Sequence, residues 1–396
     1  MNDDRIAKRI RHTAFRVTLG AVLFLTGMWT VPHRWCARGA GEWYQGDVEL
    51  HEKFSREIDR WITSDMSMRD FDTGSELFDG EWLFGTYQMA GLGLGQAALE
   101  HPALAERHVE LMELCIERIL TPAVRKFDSR MWRNDPIETL DSDSAHHAAY
   151  LGYFNLLLSM CRLLDGSTKY ADLNDRITET LVRRLEASPI LLLQTYPMQV
   201  FPVDNCAVIG SIGLYDRATG SDHSELIARW IARCRKEYVD AESGLLYQCV
   251  EWDGGVPIDK PRGSGTTFGS YFLSFADMKL SRELYDAASK SLAERFLGFG
   301  VVREYRRGTP GGYGDIDSGP LILGYSISAT GFCLAASRIH EDPGHFSRLF
   351  STSYLFGVPI ERGGTWSYVV GGPLGNALMY AMLTAPRGGV PERVGI

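Results

Sequence analysis

Residues 145–185 read AHHAAYLGYFNLLLSMCRLLDGSTKYADLNDRITETLVRRL, and the fold follows from how that stretch is divided. Apolar residues recur every three to four positions from Ala145 to Leu164 and again from Leu173 to Leu185, the period of helices that bury one face. Between them, Asp165-Gly166-Ser167 offers a glycine for a left-handed helix end and a serine to cap the next helix. This is a helical hairpin. Ala218-Thr219-Gly220-Ser221-Asp222 repeats the device between Asn205 to Ala218 and Ser224 to Tyr238.

The same theme continues in both directions: Trp82 to Leu99, Leu104 to Ile119, Gly269 to Ala276, Ser281 to Phe299, Pro320 to Ile339 and Leu374 to Leu383. Between Tyr238 and Arg262 the pattern alternates around Gly244 and Gly254-Gly255, which predicts a short β-hairpin. A train of antiparallel helix pairs suits an all-α fold, an α/α barrel of six-hairpin type with a minor β-hairpin, better than a bundle of a few long helices. An elongated helical solenoid is the alternative, but no fixed repeat length supports it.

The chain divides at about residue 44. Arg5, Lys8, Arg9, Arg11 and Arg16 precede an uncharged run from Val17 to Val31, followed by Arg34 and Arg38. A basic flank and a short apolar run predict a signal anchor, or an exported signal, with the remainder on the periplasmic or extracytoplasmic side. The competing reading is an amphipathic helix packed on the domain. Residues 45–396 carry no linker and read as one domain. A net charge of −9 leaves no basic face for a phosphate backbone, which excludes nucleic acid as a partner. The seven cysteines are scattered without metal-ligand spacing, so neither a disulfide framework nor a metal site is expected.

Three segments hold chemistry. In Gly311-Gly312-Tyr313-Gly314-Asp315-Ile316-Asp317-Ser318-Gly319-Pro320, two carboxylates lie two residues apart among glycines that admit a ligand. Crowded carboxylates shift one another and divide acid and base roles, although Asp317 or Ser318 also fits as the cap of a helix starting near Pro320. Asp204-Asn205 stands at a loop-to-helix boundary, where Asp204 either caps the helix or faces a ligand. Glu81, Trp82 and Tyr87 open a glycine-spaced helix and supply an acid, a flat wall and a phenol, or else Trp82 and Tyr87 are core. His146, beside His147, and Arg262, before Gly263-Ser264-Gly265, are further binding candidates. No glycine-rich stretch matches a nucleotide-binding loop.

Taken together, Tyr87-Gln88-Met89-Ala90-Gly91, Trp132 with Asp135-Pro136-Ile137-Glu138, Gly152 with Asn155-Leu156, Asp204-Asn205 leading into Leu214-Tyr215-Asp216-Arg217, Gly244 with Tyr247, and Asp315 to Gly319 resemble the linalool dehydratase-isomerase family over most of residues 80–340. The resemblance implies an α/α barrel whose central cavity takes an isoprenoid alcohol, with acid/base residues adding or removing water and neither cofactor nor metal. It places that family's tyrosine at Tyr87, its two cysteines at Thr195 and Asp204, and its histidine at Tyr153. Asp204, Asp315, Glu81 and Tyr87 are then the expected catalytic groups, with Trp82, Tyr153, Thr195, Asn205, Asp317, His146 and Arg262 around the substrate. A carboxylate at Asp204 also parallels carbohydrate-active α/α barrels, so a membrane-tethered glycan hydrolase or lyase is the second expectation. A binding barrel without turnover is the third. The expected partner is a small molecule, with the membrane reached through the N-terminal segment and a homo-oligomer left open.

Overall fold

The computed structural model describes residues 2–391, so residues 1 and 392–396 of the two expected regions lie outside the described residues. After helix α1 (Asn2–Cys36) and the short α2 (Ala40–Gln45), the chain builds α3 (Val48–Thr63), α4 (Glu76–Glu100), α5 (Ala105–Ile119), α6 (Pro122–Trp132), α7 (Ala148–Leu164) and α8 (Ala171–Ala187). There follow α9 (Pro202–Thr219), α10 (Ser224–Arg233), α11 (Gly263–Leu273), α12 (Met278–Ser291), α13 (Ile327–Ile339), α14 (Pro343–Gly357) and α15 (Gly372–Thr384).

Six of these, α4, α7, α9, α11, α13 and α15, touch in turn and close on themselves as an inner ring. They are apolar around most of their circumference; in α9 every residue from Asn205 to Tyr215 is buried. Their partners α3, α5, α8, α10, α12 and α14 carry one apolar face each and lie outside. The protein is an α/α barrel. Glycine allows the closest approaches. A Cβ on Gly152 would lie 2.6 Å from Val208 Cγ2, and one on Gly210 would lie 2.4 Å from the Phe272 carbonyl oxygen.

A buried polar net fixes α7, α8 and α9 to one another. Asn155 donates to Thr178 (3.0 Å) and to Ser211 (3.1 Å), while Asn174 donates to Asn155 (2.8 Å) and Ser159 (3.1 Å). All five side chains are buried, so an unmatched member would cost about 1–3 kcal/mol.

Helix starts follow local chemistry. Asp47, Asp277, Ser326 and Asp342 cap α3, α12, α13 and α14 through the backbone N–H three residues on. Pro202 and Pro343 occupy the first turns of α9 and α14. Gly220 ends α9 at φ 76°, as expected, but Gly166 does not adopt the left-handed conformation; Asp165 closes α7 in extended backbone and binds Ser167.

The expected β-hairpin at 238–262 is present only as isolated bridges, Val239 with Leu246, Tyr247 with Pro261 and Val250 with Pro257. Continuous ladders lie elsewhere. Antiparallel β1 (Ala293–Phe296) pairs with β2 (Phe299–Val302), and β3 (Pro359–Arg362) with β4 (Thr365–Tyr368). The helix expected from Pro320 begins instead at Ile327, because Ser326 provides the cap and residues 303–325 form an irregular loop.

Helix α1 does not pack along the barrel as an amphipathic helix would. Residues 7–26 are exposed on every side, and only its last turns lie against α14. By length and composition it is long and apolar enough to cross a membrane.

Candidate active site

The inner helices all present their N-terminal ends to one end of the barrel, where a cavity of about 770 Å³ opens. Glu81, Tyr153, Asp204, Ser264, Ser328 and Leu374, each from the first turns of a different inner helix, line it. Helix N-termini carry partial positive charge, so six converging ends favour negative groups at this mouth. Most of the remaining wall is apolar, including Trp82, Phe127, Phe201, Phe268, Phe332 and Leu378.

Asp204 in the first turn of α9 does not cap its helix. Its carboxylate accepts from Tyr153 Oη (2.7 Å) and Thr195 Oγ1 (2.6 Å). Burial raises its pKa, and the two hydroxyl bonds oppose that rise by favouring the charged form. The three positions that the family resemblance aligns with two cysteines and a histidine therefore meet in one hydrogen-bonded group.

Glu81, partly buried across the cavity, accepts from the Tyr196 hydroxyl. Burial pushes its carboxyl up to about 8, against that hydrogen bond and with help from the charges of Asp317 and Asp204. Thr195 and Tyr196 are consecutive, so one turn of chain ties both carboxylates together. Asp317 lines the same mouth and is pushed up to about 7, first by its protein surroundings and then by Asp315 and Asp204. Its side chain is open to water, which moderates that rise. Burial thus raises both Glu81 and Asp204, each a carboxyl on the cavity wall that accepts from hydroxyl donors.

Five expected site residues stand elsewhere. Asp315 is absent from the cavity wall: its carboxylate pairs with Arg262 and accepts from the Ser318 backbone (3.0 Å), which outweigh burial and hold it below the ordinary value. Arg262 also binds Asp259 (2.7 Å), so it anchors the 311–320 loop and does not reach the cavity. Tyr87 turns toward Cys115 and Arg118 of α5, is fully buried, and is pushed up to about 12 by that burial. His146 accepts from the Gln194 backbone (3.0 Å) and meets Trp252 edge-on, burial lowering it to about 4. Asn205 clamps Leu193 in both directions (2.7 and 3.0 Å) and donates to Phe201 (3.1 Å). Asn205→Ala should therefore lower stability by about 2–3 kcal/mol in urea unfolding, since it strands buried backbone groups.

Trp82, Tyr153, Thr195 and Asp317 do line the cavity. Sequence reasoning passed over Tyr196, Gln88 and Gln248. Tyr196 sits in the same Thr195-Tyr196-Pro197 run that precedes Asp204, and its phenol beside a loop proline was the available signal. Gln88 holds the Tyr153 carbonyl (3.3 Å), while the buried Oε1 of Gln248, on the cavity wall, has no hydrogen-bond partner among the described residues. Neither amide stands in a sequence pattern that announces it.

Two solved structures share the architecture. A family 105 glycoside hydrolase of C. acetobutylicum ATCC 824 superposes with a TM-score of 0.55 at 11% identity, covering 84% of this chain and 99% of that one. An unsaturated glucuronyl hydrolase specific for heparin gives 0.52 at 10% identity, covering 87% and 96%. Identities this low establish the fold alone. Residues 154–304, which contain Thr195 and Asp204, match the family model of linalool dehydratase/isomerase, and across that stretch the chain is similar to that family.

Proposed function

We propose that this protein is an acid/base enzyme that acts as a lyase, isomerase or hydratase on a hydroxylated, largely apolar, isoprenoid-like alcohol. The observation that carries the reading is the Tyr153–Asp204–Thr195 group facing protonated Glu81 across a cavity walled by Phe, Leu and Met side chains. The volume of about 770 Å³ suits a small molecule, and most of its wall is apolar.

In dehydration, Glu81 gives its proton to the substrate hydroxyl, the carbon–oxygen bond breaks and water leaves. Asp204 takes a proton from the neighbouring carbon, and that carbon–hydrogen pair closes the double bond. Run in reverse at a different carbon, the same steps move the hydroxyl group. Trp82 and Phe332 would shield the developing positive charge from water.

In this reading helix α1 is a signal anchor that tethers the barrel on the extracytoplasmic side, supported by its length, its apolar composition and its basic N-terminal flank. A glycan hydrolase or lyase is the second reading, favoured by several carboxylates at the mouth of a barrel shared with glycoside hydrolases.

Acyclic terpene alcohols incubated with the protein in oxygen-18 water decide between the two. Exchange of label into the alcohol, or conversion to an alkene, is expected. No exchange, together with release of sugar ends from a polysaccharide, would move the assignment to the second reading.

A further inference from the structure

The foot of α1 meets the barrel near the mouth of the cavity: His33 lies against Gly298 of the β1–β2 turn, and that turn shares a groove with Ile327, which also lines the cavity. Residues 7–26 stand clear of the barrel, and the uncharged run from Val17 to Val31 spans about 22 Å at ~1.5 Å per residue, which long Arg16 and Arg34 side chains at its two ends extend toward the roughly 30 Å of a hydrocarbon core. The helix first meets the barrel through its final turns. His33 packs edge-on against Phe299 at 6.1 Å and closes over Gly298, while neighbouring turns lie along α14. Trp29 and Trp35 flank this junction, exposed, with Arg38 stacked over the Trp35 ring at 3.8 Å. Tryptophan and arginine at the end of an apolar helix are the usual occupants of a lipid headgroup layer.

At that level the barrel rim is apolar where a water-facing rim should be polar. Phe296 and Leu297 at the β1–β2 turn, Ile322 and Leu323 in the following loop, and Leu355 and Phe356 at the end of α14 are 45–69% exposed and surround a groove of about 200 Å³. Leu297 (φ 50°) and Leu323 (φ 55°) hold left-handed backbone that ordinarily selects glycine or asparagine, so leucine is kept at both tips against its local preference. Ile327, itself half exposed, lines both this groove and the cavity, and exposed Val370 lines the cavity from beyond α14. Ile327 thus joins the apolar groove at the foot of α1 to the mouth of the cavity. Patches of this kind on water-facing surfaces mark lipid or partner contacts.

We propose that this rim is seated in the bilayer that α1 crosses, with acyl chains in the groove, so that the cavity opens onto the lipid phase and draws its substrate from it. The seating rests on the membrane reading of α1, and the entry route rests on the apolar-substrate reading of the cavity.

The test uses the full chain in phosphatidylcholine vesicles, with benzoylphenylalanine replacing one residue at a time and adducts read by mass spectrometry after illumination. Phe24 reports α1, Leu323 and Phe356 report the rim, and Ser221, in the turn at the opposite end of the barrel, reports background. Lipid adducts at Phe24, Leu323 and Phe356 in at least tenfold excess over Ser221 are expected. Adducts at Phe24 but not at Leu323 or Phe356 would overturn the seating while leaving the anchor and the chemistry intact. Absence of adducts at Phe24 would remove the anchor and the seating together. Crosslinks from the rim to a second copy of the chain would make it a subunit interface and overturn the proposal equally.

Discussion

Asp204→Asn is expected to reduce turnover by about 10²–10⁴-fold, the range for loss of a positioned general base, while moving the melting temperature by no more than about 2 °C. The shape of the side chain is preserved, and the Tyr153 and Thr195 hydroxyls can still bond to an amide. What disappears, on the proposed mechanism, is the negative charge that accepts the proton. Because burial raises the Asp204 pKa, its ionised form is a cost to the fold, and replacing it relieves that cost. Thermal unfolding followed beside turnover separates the two outcomes. A fall of many degrees would mark Asp204 as a structural acceptor and sink the catalytic assignment.

Glu81→Gln is expected to lower turnover by a comparable ~10²–10⁴-fold and to change the pH profile as well. In the parent protein the acid must be protonated, so activity should fall as pH rises through about 8, the value to which burial pushes Glu81. The residual activity of the variant should lack that alkaline limb. Stability supplies an independent reading. The folded carboxyl lies above its ordinary value of 4.5, so the stability contributed by the protonated group is complete below that pH and is lost as pH rises through about 8. Glutamine carries no such dependence. The variant should therefore gain melting temperature relative to the parent at pH 9 and show little difference at pH 4. An unchanged alkaline limb would assign the acid to another group, with Asp317 next in line.

The ring of helices was legible in the sequence because buried helices are apolar over long stretches, and α7, α9 and α15 begin and end within a few residues of their expected bounds. Helices α3, α6 and α14 were passed over; in α6 and α14 charged or polar residues break the apolar pattern, whereas Phe54, Ile58 and Ile62 give α3 a clear four-residue period that was legible. The strands were misplaced for a related reason. Residues 293–302 continue the apolar pattern of α12, and only Leu297-Gly298, both at positive φ, turn them into a hairpin.

In the candidate site, the sequence brought forward segments that reach the cavity but did not always distinguish which member of a pair lines it. Asp315 and Asp317 differ by whether Arg262, 53 residues earlier, reaches one of them. Asp204 and Asn205 differ by which way a helix start is rotated, and that is decided by Leu193 in another loop. Tyr87 shares a helix with Glu81 but not a face. Such distinctions depend on long-range neighbours that spacing does not encode.

The interlocked amides and hydroxyls of Asn155, Asn174, Thr178, Ser159 and Ser211 bear on how this barrel can diverge. They hold Tyr153 and Asp204 in a fixed mutual orientation, because rotating either helix by one position would strand several members at once. The opposite wall, built by Phe332, Leu374 and Leu378 on α13 and α15, has a tether of its own: Gln96 of α4 donates to the Ala381 carbonyl (2.9 Å) and to Thr384 (3.2 Å) of α15 and accepts from Tyr271 of α11 (3.0 Å), while Arg338 of α13 reaches Glu100 of α4 (2.8 Å). With the helices held on both sides, lineages that acquire new substrates should exchange the apolar side chains that line the cavity, Phe332, Leu374 and Leu378 among them, and leave the helix orientations as inherited.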